Sequence, residues 1–464
     1  MKNMTLDRIA QVCNGQLFDT EHYDGQEAAG VVLDSRQVQK DYLFVATVGE
    51  RVDGHSFIPE VYDKGALAVL CERAPIAPAG PYILVESCLE ALKELAAWYR
   101  RQLKVKVIGI TGSVGKTSTK EFISSVLAQK YQVLKTEGNY NNEIGLPLTI
   151  FKIREEHEVA VLEMGISDFG EMHRLSRIAK PDIAVITNIG PCHLENLGNR
   201  EGVLKAKTEI FDYMDDSGRV CLNGDDNMLA TIGEVKGHQP IRFGLGSNGS
   251  GAEHSLPEVY ASDIISLGLF GSSCKIHMGD TSFPTKVPLP GSHMILNALA
   301  ATAVGTLLGL TGDEIQAGIE AVKPTGGRSN IIRHGNFTII DDCYNANPVS
   351  MRAAIDLLNT SDTRKVAILG DMFELGEEEL SLHHGIGVYA ASRKVDLLVC
   401  VGKLSRSMFE GARHSSFQGA LHYYATRDEL IEALPAILQD HDTLLVKASH
   451  GMGFEQVVKA LLSL

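Results

Sequence analysis

Short apolar runs alternate with amphipathic stretches along most of the chain, which predicts strands followed by helices. Val159–Leu162 and Asp182–Thr187 are continuous apolar runs of the kind found in buried parallel strands. Further runs of this kind, each followed by a helical pattern, occupy the last part of the chain: Phe337–Asp342, Lys365–Leu369, Asp396–Val401, Leu421–Tyr424 and Thr443–Lys447. The pattern predicts an α/β protein built on parallel sheets.

The first hundred residues predict a smaller α/β unit. Its strand candidates are Tyr42–Thr47, Ala66–Cys71 and Tyr82–Glu86. Cys88–Leu103 then reads as an amphipathic helix with Ser87 as its N-cap and with Leu89, Leu92, Leu95, Ala96 and Tyr99 on one face. We expect this helix to link the unit to the rest of the chain.

Changes of pattern suggest where the domains meet. Residues 245–290 are rich in Gly, Ser and short strands, which predicts an antiparallel edge or insertion, and Pro324–Arg328 has the composition of a domain joint. We therefore predict a small N-terminal α/β domain at 1–103, a central phosphate-loop domain with a parallel sheet at 104–325, and a Rossmann-like domain at 326–464. The last domain has no G-x-G-x-x-G fingerprint, so no dinucleotide is inferred there.

Composition limits the function classes. With 464 residues the chain is long enough for two to four domains, and 44% hydrophobic with 22% charged residues is typical of a folded globular protein. A formal net charge of −15 argues against a general binder of nucleic acids or anionic membranes. The eight cysteines form no C-x-x-C pair, which favours free thiols in a reducing compartment. Without an apolar leader or a long apolar segment, the cytoplasm is the expected location.

The strongest chemical signal is the stretch Gly109–Thr119, which follows an apolar strand and opens a helix. Gly112 and Gly115 allow the amides of the loop, including those of Ser113, Val114 and Ser118, to close on an anion. Lys116 can reach terminal phosphates and Thr117 is placed to ligate Mg²⁺. Ile110 replaces the first glycine of G-x-x-x-x-G-K-[ST], but the strand and helix on either side still favour a nucleoside triphosphate site over a structural turn.

Two residues follow predicted strands of the same sheet. Glu163 follows the predicted strand at Val159–Leu162, and His193 follows the predicted strand at Asp182–Thr187. Ligands of open α/β sheets bind at the carboxyl ends of the strands. A carboxylate, the Thr117 hydroxyl and an imidazole could hold Mg²⁺ around phosphate oxygens. Either residue alone is ambiguous, and a lone histidine such as His193 is more often structural; their shared placement makes the metal-binding and structural interpretations about equally favoured.

Other polar residues are ambiguous from the sequence. Lys205 and Lys207, on a predicted helix at Glu201–Tyr213, are interpreted as solvated lysines. Asn297 lies in a helix of small residues, so it needs a partner, either a nucleotide base edge or a backbone carbonyl. Asp34-Ser-Arg36 and Asp53-Gly-His55 follow strand signals, and ordinary turn chemistry is the favoured interpretation.

Motifs in order along the chain resemble those of the Mur ligases, ATP-dependent amide-forming enzymes of peptidoglycan synthesis. Beyond the phosphate loop and Asp34-Ser-Arg36, they are Leu43–Ala46, Asp53–His55, Gly138–Thr149, Glu163–Gly165, Thr187–Gly190, His193–Glu195, Ala206–Ile210, Asp341–Pro348 and Gly370–Gly376. The D-D-x-Y-N-A-N-P and G-D-M-x-E-L-G pair is specific to the members that add D-alanyl-D-alanine to UDP-N-acetylmuramoyl-tripeptide. The resemblance covers nearly the whole chain and implies the three-domain architecture of that family.

The resemblance implies roles at matching positions. Gly112, Ser113, Val114, Gly115, Lys116, Thr117 and Ser118 would bind ATP phosphates, with Asn297 on adenine and Arg328 and Asp342 on phosphate and ribose. Thr117, Glu163, His193 and Lys207 would serve two Mg²⁺ ions, and Lys207 matches the lysine that is carbamylated in this family. Ser35 and Arg36 would face the uridine nucleotide in a UDP-sugar-binding domain, Asn141 and Asn142 the muramoyl-peptide, and Asn345 and Asn347 the incoming dipeptide.

The implied catalytic set is therefore Lys116, Glu163, His193 and Lys207, with ATP and Mg²⁺ as cofactors. The implied substrates are UDP-N-acetylmuramoyl-tripeptide and D-alanyl-D-alanine, handled by a monomer. Whether the third residue of the tripeptide is diaminopimelate or lysine stays open.

Two departures from the family pattern stand out. Asp41-Tyr42 replaces the usual Gly-Asp, and Lys447-Ala-Ser-His450 replaces Lys-Gly-Ser-Arg. The loss of that arginine, with Ala448 in place of glycine, puts in doubt its part in binding the dipeptide or closing the last domain. The alternatives are a sister ligase that adds the third residue, a folylpolyglutamate synthase, and, in a different class, a regulatory phosphate-loop ATPase.

Overall fold

A computed structural model of the chain describes residues 1–21, 23–49, 52–245, 256–324 and 326–464. The predicted boundary residue Thr325 and residues 246–255 of the predicted insertion lie outside the described residues. The remainder forms three sheets in succession, each with helices packed against it.

The N-terminal sheet is small and mixed. Its strands are β1 (Gln16–Phe18), β2 (Gly30–Val32), β3 (Tyr42–Val45), β4 (Ala68–Cys71) and β5 (Tyr82–Leu84), in the order β1-β5-β4-β3-β2 with only β1 antiparallel to its neighbour. The helices are α1 (Leu6–Val12), α2 (Ile58–Asp63) and α3 (Cys88–Gln102). As predicted, Ser87 caps α3 by accepting a hydrogen bond from the Glu90 amide. The prediction that Leu89 shares the buried face was wrong, since it is 37% exposed.

The central sheet has nine strands. In chain order they are β6 (Lys106–Thr111), β7 (Val133–Lys135), β8 (Val159–Glu163), β9 (Ile183–Ile186), β10 (Arg219–Asn223), β11 (Ile241–Gly244), β12 (Val259–Ser266), β13 (Ser272–Met278) and β14 (Thr281–Val287). Their order in the sheet is β14-β13-β12-β11-β10-β9-β6-β8-β7. The strands from β7 to β12 in that order are parallel, whereas β12, β13 and β14 form the antiparallel edge that the sequence predicts.

Seven α-helices accompany the described part of this sheet. They are α4 (Lys116–Leu127), α5 (Gly145–Ile150), α6 (Glu171–Ala179), α7 (Leu194–Leu197), α8 (Arg200–Thr208), α9 (His293–Leu307) and α10 (Gly312–Glu320). The helix predicted at Glu201–Tyr213 is shorter than expected, because α8 ends at Thr208 and tightens into a 3-10 turn at Glu209–Phe211. Both faces of the sheet are buried, with separate apolar clusters on each side.

The C-terminal sheet confirms the five predicted strands and adds one. Its members are β15 (Asn330–His334), β16 (Phe337–Asp341), β17 (Lys365–Gly370), β18 (Leu397–Val401), β19 (Ala420–Tyr424) and β20 (Thr443–Lys447), in the order β15-β16-β20-β17-β18-β19. All neighbours are parallel except β15 and β16. The helices are α11 (Pro348–Leu358), α12 (Glu379–Ala391), α13 (Ser405–His414), α14 (Arg427–Ile437) and α15 (Glu455–Leu461). Strand β15, which the sequence did not predict, lies at the edge of the sheet and pairs only with β16.

All eight cysteines are free thiols, and seven of them are buried. Among the helices of the described ranges, none combines the length and the apolar character that crossing a bilayer requires.

Candidate functional site

The phosphate loop joins the end of β6 to the start of α4. Gly112 and Gly115 have φ of +146° and +83°, values that side-chain-bearing residues rarely adopt. A Cβ atom at Gly112 would also overlap the hydroxyl of Thr187 on the neighbouring strand end. The turn therefore requires glycine at this position for both its backbone angle and its space.

The loop amides divide into two groups. The amides of Ser113 and Val114 donate to Asn188, to its carbonyl and its side-chain oxygen, each at 3.0 Å. The amides from Gly115 to Ser118 make no hydrogen bond to another described group and open the twelve-residue helix α4. The positive end of a helix with unpaired amides is a ready anion site. The free donors in this structure are thus a narrower set than the whole loop that the sequence predicts.

Thr117 and Glu163 form a pair of oxygen donors beside these amides. The Thr117 hydroxyl donates to Glu163 Oε2 at 2.7 Å, and Asn141 Nδ2 donates to Glu163 Oε1 at 2.8 Å. Glu163 is 2% exposed, so its carboxylate is held in one orientation with little access to water. Asn141 therefore ties the loop at Thr136–Gly145 to this carboxylate.

Lys116 folds back over its own loop. Its Nζ donates to the carbonyl of Gly112 at 2.8 Å. Desolvation in the loop lowers the pKa of Lys116, with the Glu163 carboxylate opposing that effect. The Lys116 side chain is therefore held beside the unpaired amides from Gly115 to Ser118.

The interpretation of Lys207 as a solvated lysine was wrong. It is fully buried, its Nζ has no hydrogen-bond partner among the described residues, and desolvation lowers its pKa to about 8. Lys205, by contrast, is exposed as expected. Lys207 continues the buried stripe of Val203, Ala206 and Ile210, and this helical spacing is the signal that could have revealed its burial.

His193 lies at the rim as predicted, but it is engaged from outside the central sheet. Its Nδ1 is 2.7 Å from Oε2 of Glu374, which follows β17 in the C-terminal domain. The neighbouring His193 ring lowers the pKa of Glu374. Glu374 was not predicted from the sequence as a partner of His193.

A cavity of about 860 Å³ lies between the carboxyl edges of the central and C-terminal sheets. This volume is within the range of small-molecule sites. The predicted residues that line it are Ser113, Val114, Gly115, Lys116, Thr117, Ser118, Asn141, Asn142, Glu163, His193, Asn297, Arg328, Asp342, Asn345 and Asn347. Most of the predicted site therefore meets in one place, whereas Gly112, Lys207, Ser35 and Arg36 do not line this cavity.

The C-terminal side of the cavity is held by internal contacts. Asp342 accepts from Lys447 Nζ at 2.6 Å and from the Ser329 amide at 2.9 Å, and the Lys447 side chain is only 3% exposed. The guanidinium of Arg328 stacks 4.0 Å from the ring centre of Tyr344. Lys447 and Tyr344 line the cavity but were not selected as site residues from the sequence.

Asn347 and Asn297 are both held by hydrogen bonds within the chain. Asn347 is the N-cap of α11 and accepts a hydrogen bond from the Ser350 amide. Asn297 is 5% exposed, and its side chain accepts from the Thr119 hydroxyl at 2.9 Å and donates to Met294 Sδ at 3.3 Å. Its partners are therefore side chains, not the backbone carbonyl that was the alternative to a nucleotide base.

The predicted site residues of the N-terminal sheet, Ser35 and Arg36, do not line the cavity. Asp34 caps a 3-10 turn at Ser35–Gln37 and pairs with Arg36, whose side chain is 84% exposed, whereas Ser35 is buried. Asp53 caps the next 3-10 turn in the same way. These contacts are the ordinary turn chemistry that the sequence favours.

No three His, Cys, Asp or Glu side chains converge on a preformed metal cluster within the described ranges. Mg²⁺ commonly keeps several waters and uses only one or two carboxylates together with substrate phosphates. The Thr117 and Glu163 oxygens are hard donors of the kind that Mg²⁺ uses in this way.

Ala448 and His450, which depart from the family pattern near the C-terminus, both pack against neighbouring residues. Ala448 is fully buried against Gly370, and the His450 ring lies 5.5 Å from the ring of Tyr344. His450 therefore extends the stack of Arg328 on Tyr344 beside the cavity.

Three family models match the chain in succession. The description "Mur ligase family, catalytic domain" matches residues 27–106, "Mur ligase middle domain" matches 110–305, and "Mur ligase, glutamate ligase domain" matches 327–450.

Named relatives and solved structures cover the full length. A UDP-N-acetylmuramoyl-tripeptide--D-alanyl-D-alanine ligase of Bacillus subtilis is 37% identical over 100% of this chain and 99% of its own. A crystal structure of MurF from Acinetobacter baumannii has a TM-score of 0.88 at 32% identity, covering 99% of both chains. MurF from Thermotoga maritima in complex with ADP has a TM-score of 0.81 at 30% identity, covering 94% of this chain and 97% of its own.

Proposed function

The chain belongs to the Mur ligase family, and we propose that it joins D-alanyl-D-alanine to UDP-N-acetylmuramoyl-tripeptide, with conversion of ATP to ADP and phosphate. The observation that carries this proposal is the full-length similarity to ligases of that name. The ADP in the Thermotoga structure supports the use of ATP. The cavity between two domains supports a reaction that brings several substrates together.

ATP would bind on the central side of the cavity. The free amides from Gly115 to Ser118, with Lys116, suit its terminal phosphates, and the glycines Gly112 and Gly115 shape the loop around them. Asn297, Arg328 and Asp342 line the same cavity and would contact adenine, phosphate and ribose. Asp342 would have to share its carboxylate with Lys447.

The donor set fits magnesium. Thr117 and Glu163 offer hard oxygen ligands, and His193 lines the same cavity for a second ion. When bound, Mg²⁺ would offset negative charge on the phosphate oxygens. Lys207 would contribute as a carbamate: its neutral amine adds CO₂, a nitrogen–carbon bond forms and a proton is released. The low pKa and the unpartnered Nζ support this assignment, since only the neutral amine reacts.

The proposed reaction proceeds in two steps. A carboxylate oxygen of the tripeptide attacks the γ-phosphorus and ADP leaves, while Lys116 offsets the charge that develops on the phosphoryl group. The amine of D-alanyl-D-alanine then attacks the acyl carbon, loses a proton and displaces phosphate. Water would destroy the acyl phosphate, so closure of the C-terminal domain over the cavity serves to exclude it. We propose that the hinge lies near Pro324–Gly327, of which Thr325 lies outside the described residues.

The remaining assignments complete the proposal. Ser35 and Arg36 would bind the uridine nucleotide, Asn141 and Asn142 the muramoyl-peptide, and Asn345 and Asn347 the dipeptide. Residues 1–103, 104–325 and 326–464 would be the three domains of a cytoplasmic monomer that requires neither nucleic acid nor a membrane.

Phosphate release from ATP tests this proposal. The purified protein is supplied with UDP-N-acetylmuramoyl-tripeptide and D-alanyl-D-alanine, separately and together, using diaminopimelate and lysine forms of the tripeptide in turn. Release that requires both partners supports the ligase and identifies the third residue. Release that needs the UDP-sugar but ignores the dipeptide favours a sister ligase, and release that needs neither favours a regulatory ATPase.

A further inference from the structure

The contact between His193 and Glu374 is unusual because of where it lies. Among the described residues it is the only salt bridge that joins the chain before residue 325 to the chain after it, and no hydrogen bond between described residues crosses this point. Nδ1 of His193 is 2.7 Å from Oε2 of Glu374. Another contact between the two parts of the chain is the stacking of Arg333 over Phe270. A single polar contact therefore joins the two walls of the cavity.

Both partners have an uncommon backbone conformation. His193 has a φ of +51° and Glu374 a φ of +62°, in the left-handed region that side-chain-bearing residues rarely occupy. The His193 carbonyl accepts the amides of Asn196 and Leu197, so the first turn of α7 holds this conformation. Gly376, two residues after Glu374, lies against Glu195 on the same helix. The surrounding structure thus directs the two side chains toward each other.

The contact leaves one ring nitrogen of His193 available. With Nδ1 at Glu374, Nε2 has no hydrogen-bond partner among the described residues, and the residue lines the cavity with Thr117 and Glu163. In metal sites, a carboxylate on one imidazole nitrogen fixes the tautomer and orientation that present the other nitrogen to the ion.

We propose that Glu374 is a positioning residue that orients His193 for Mg²⁺ from across the domain joint. The inference rests on the proposed function, because it takes His193 as a metal ligand. It adds that the central domain holds only part of the metal site and that the C-terminal domain supplies the rest when the cavity is closed. Metal binding and closure are then coupled, and each favours the other.

Glu374→Ala and Glu374→Gln test this inference, with Glu377→Ala as the matched control. Glu377 is an exposed glutamate on the same loop and makes no ion pair among the described contacts. Mn²⁺ binding to the protein–ADP complex is measured by electron paramagnetic resonance, alongside ADP binding without metal. We expect Glu374→Ala to weaken Mn²⁺ binding by about 10- to 100-fold, the range typical of lost partners of metal ligands. Glu374→Gln should weaken it less, because an amide oxygen still accepts a hydrogen bond from Nδ1.

Further readouts separate positioning from a general structural role. Metal-free ADP binding should be unchanged in all three variants, and the turnover lost in Glu374→Ala should recover at raised Mg²⁺. In a His193→Ala background, Glu374→Ala should cause no additional loss of Mn²⁺ affinity, because the residue it acts through is absent.

Unchanged or tighter Mn²⁺ binding in Glu374→Ala would overturn the inference, as would additive losses in the double variant. Turnover that stays low at saturating Mg²⁺ would also overturn it. Failure of the proposed function is recognised separately, since the wild-type protein would then release phosphate without its two acceptor substrates or not at all.

Discussion

The carboxyl edges of the central and C-terminal sheets both face the cavity, but their polar groups are arranged differently. On the central edge, the amides from Gly115 to Ser118 have no partner among the described residues. On the C-terminal edge, Asp342 is paired with Lys447, and Asn347 caps α11. The difference indicates that the central edge is built to receive charged groups, whereas the C-terminal edge maintains its own structure and closes the site.

The largest effect is expected at the central edge. Lys116→Ala should reduce kcat by about 10³-fold, because a preorganised cation beside the transferred phosphoryl group is lost. The fold should be retained, since Lys116 bonds only to its own loop. Phosphate release with all substrates measures the first effect and thermal unfolding the second. Lys104→Ala, at an exposed lysine before β6, is the control. Retained ligation in Lys116→Ala would contradict the assignment.

Removal of CO₂ should have the next largest effect. Turnover in CO₂-free buffer should fall by about 10- to 100-fold, a range typical of lost support for a metal site. Lys207 has a pKa of about 8, so its amine is mostly protonated below pH 8 and cannot add CO₂. At a fixed CO₂ pressure, recovery should therefore be stronger at pH 9 than at pH 7. Lys207→Met should not respond to CO₂. A wild-type enzyme indifferent to CO₂ would remove the carbamate from the account.

At the C-terminal edge, removal of a single charged group should lower the stability of the fold more than the rate of turnover. Asp342→Asn leaves the buried Lys447 ammonium without its counter-charge, which costs about 3 kcal/mol of unfolding free energy. Urea denaturation measures this loss. Asp342→Asn combined with Lys447→Gln should recover much of it, because the unpaired charge is gone. Equal stability of the wild-type protein and Asp342→Asn would show that this edge is not organised around the pair.

The smallest effect should come from outside the cavity. Arg36→Ala should raise KM for the UDP-sugar severalfold and leave kcat and the thermal midpoint unchanged, because the guanidinium is exposed and bonds only to Asp34. Steady-state kinetics with varied UDP-sugar provide the measurement. Arg101→Ala, at an exposed arginine of the same domain, should leave all three quantities unchanged. A fall in kcat would place Arg36 closer to the reacting groups than the structure does.

The sequence allowed much of this arrangement to be predicted. Apolar runs located the buried strands, and the spacing of glycines located the phosphate loop, because both follow from local patterns. The burial of Lys207 was missed because its charge was given more weight than its place in an apolar helical stripe. The pairing of His193 with Glu374 could not have been found, since it depends on how two domains meet. Local sequence likewise carries no sign that Asn188 occupies two loop amides.

The origin of the oxygen in the released phosphate tests the central claim most directly. The wild-type enzyme is given ATP, D-alanyl-D-alanine and a UDP-N-acetylmuramoyl-tripeptide whose terminal carboxylate carries ¹⁸O at both oxygens. The account predicts one ¹⁸O atom in each released phosphate, because the carboxylate oxygen attacks the γ-phosphorus and leaves with it. Phosphate without the label, formed while the peptide bond is made, would contradict the acyl phosphate route.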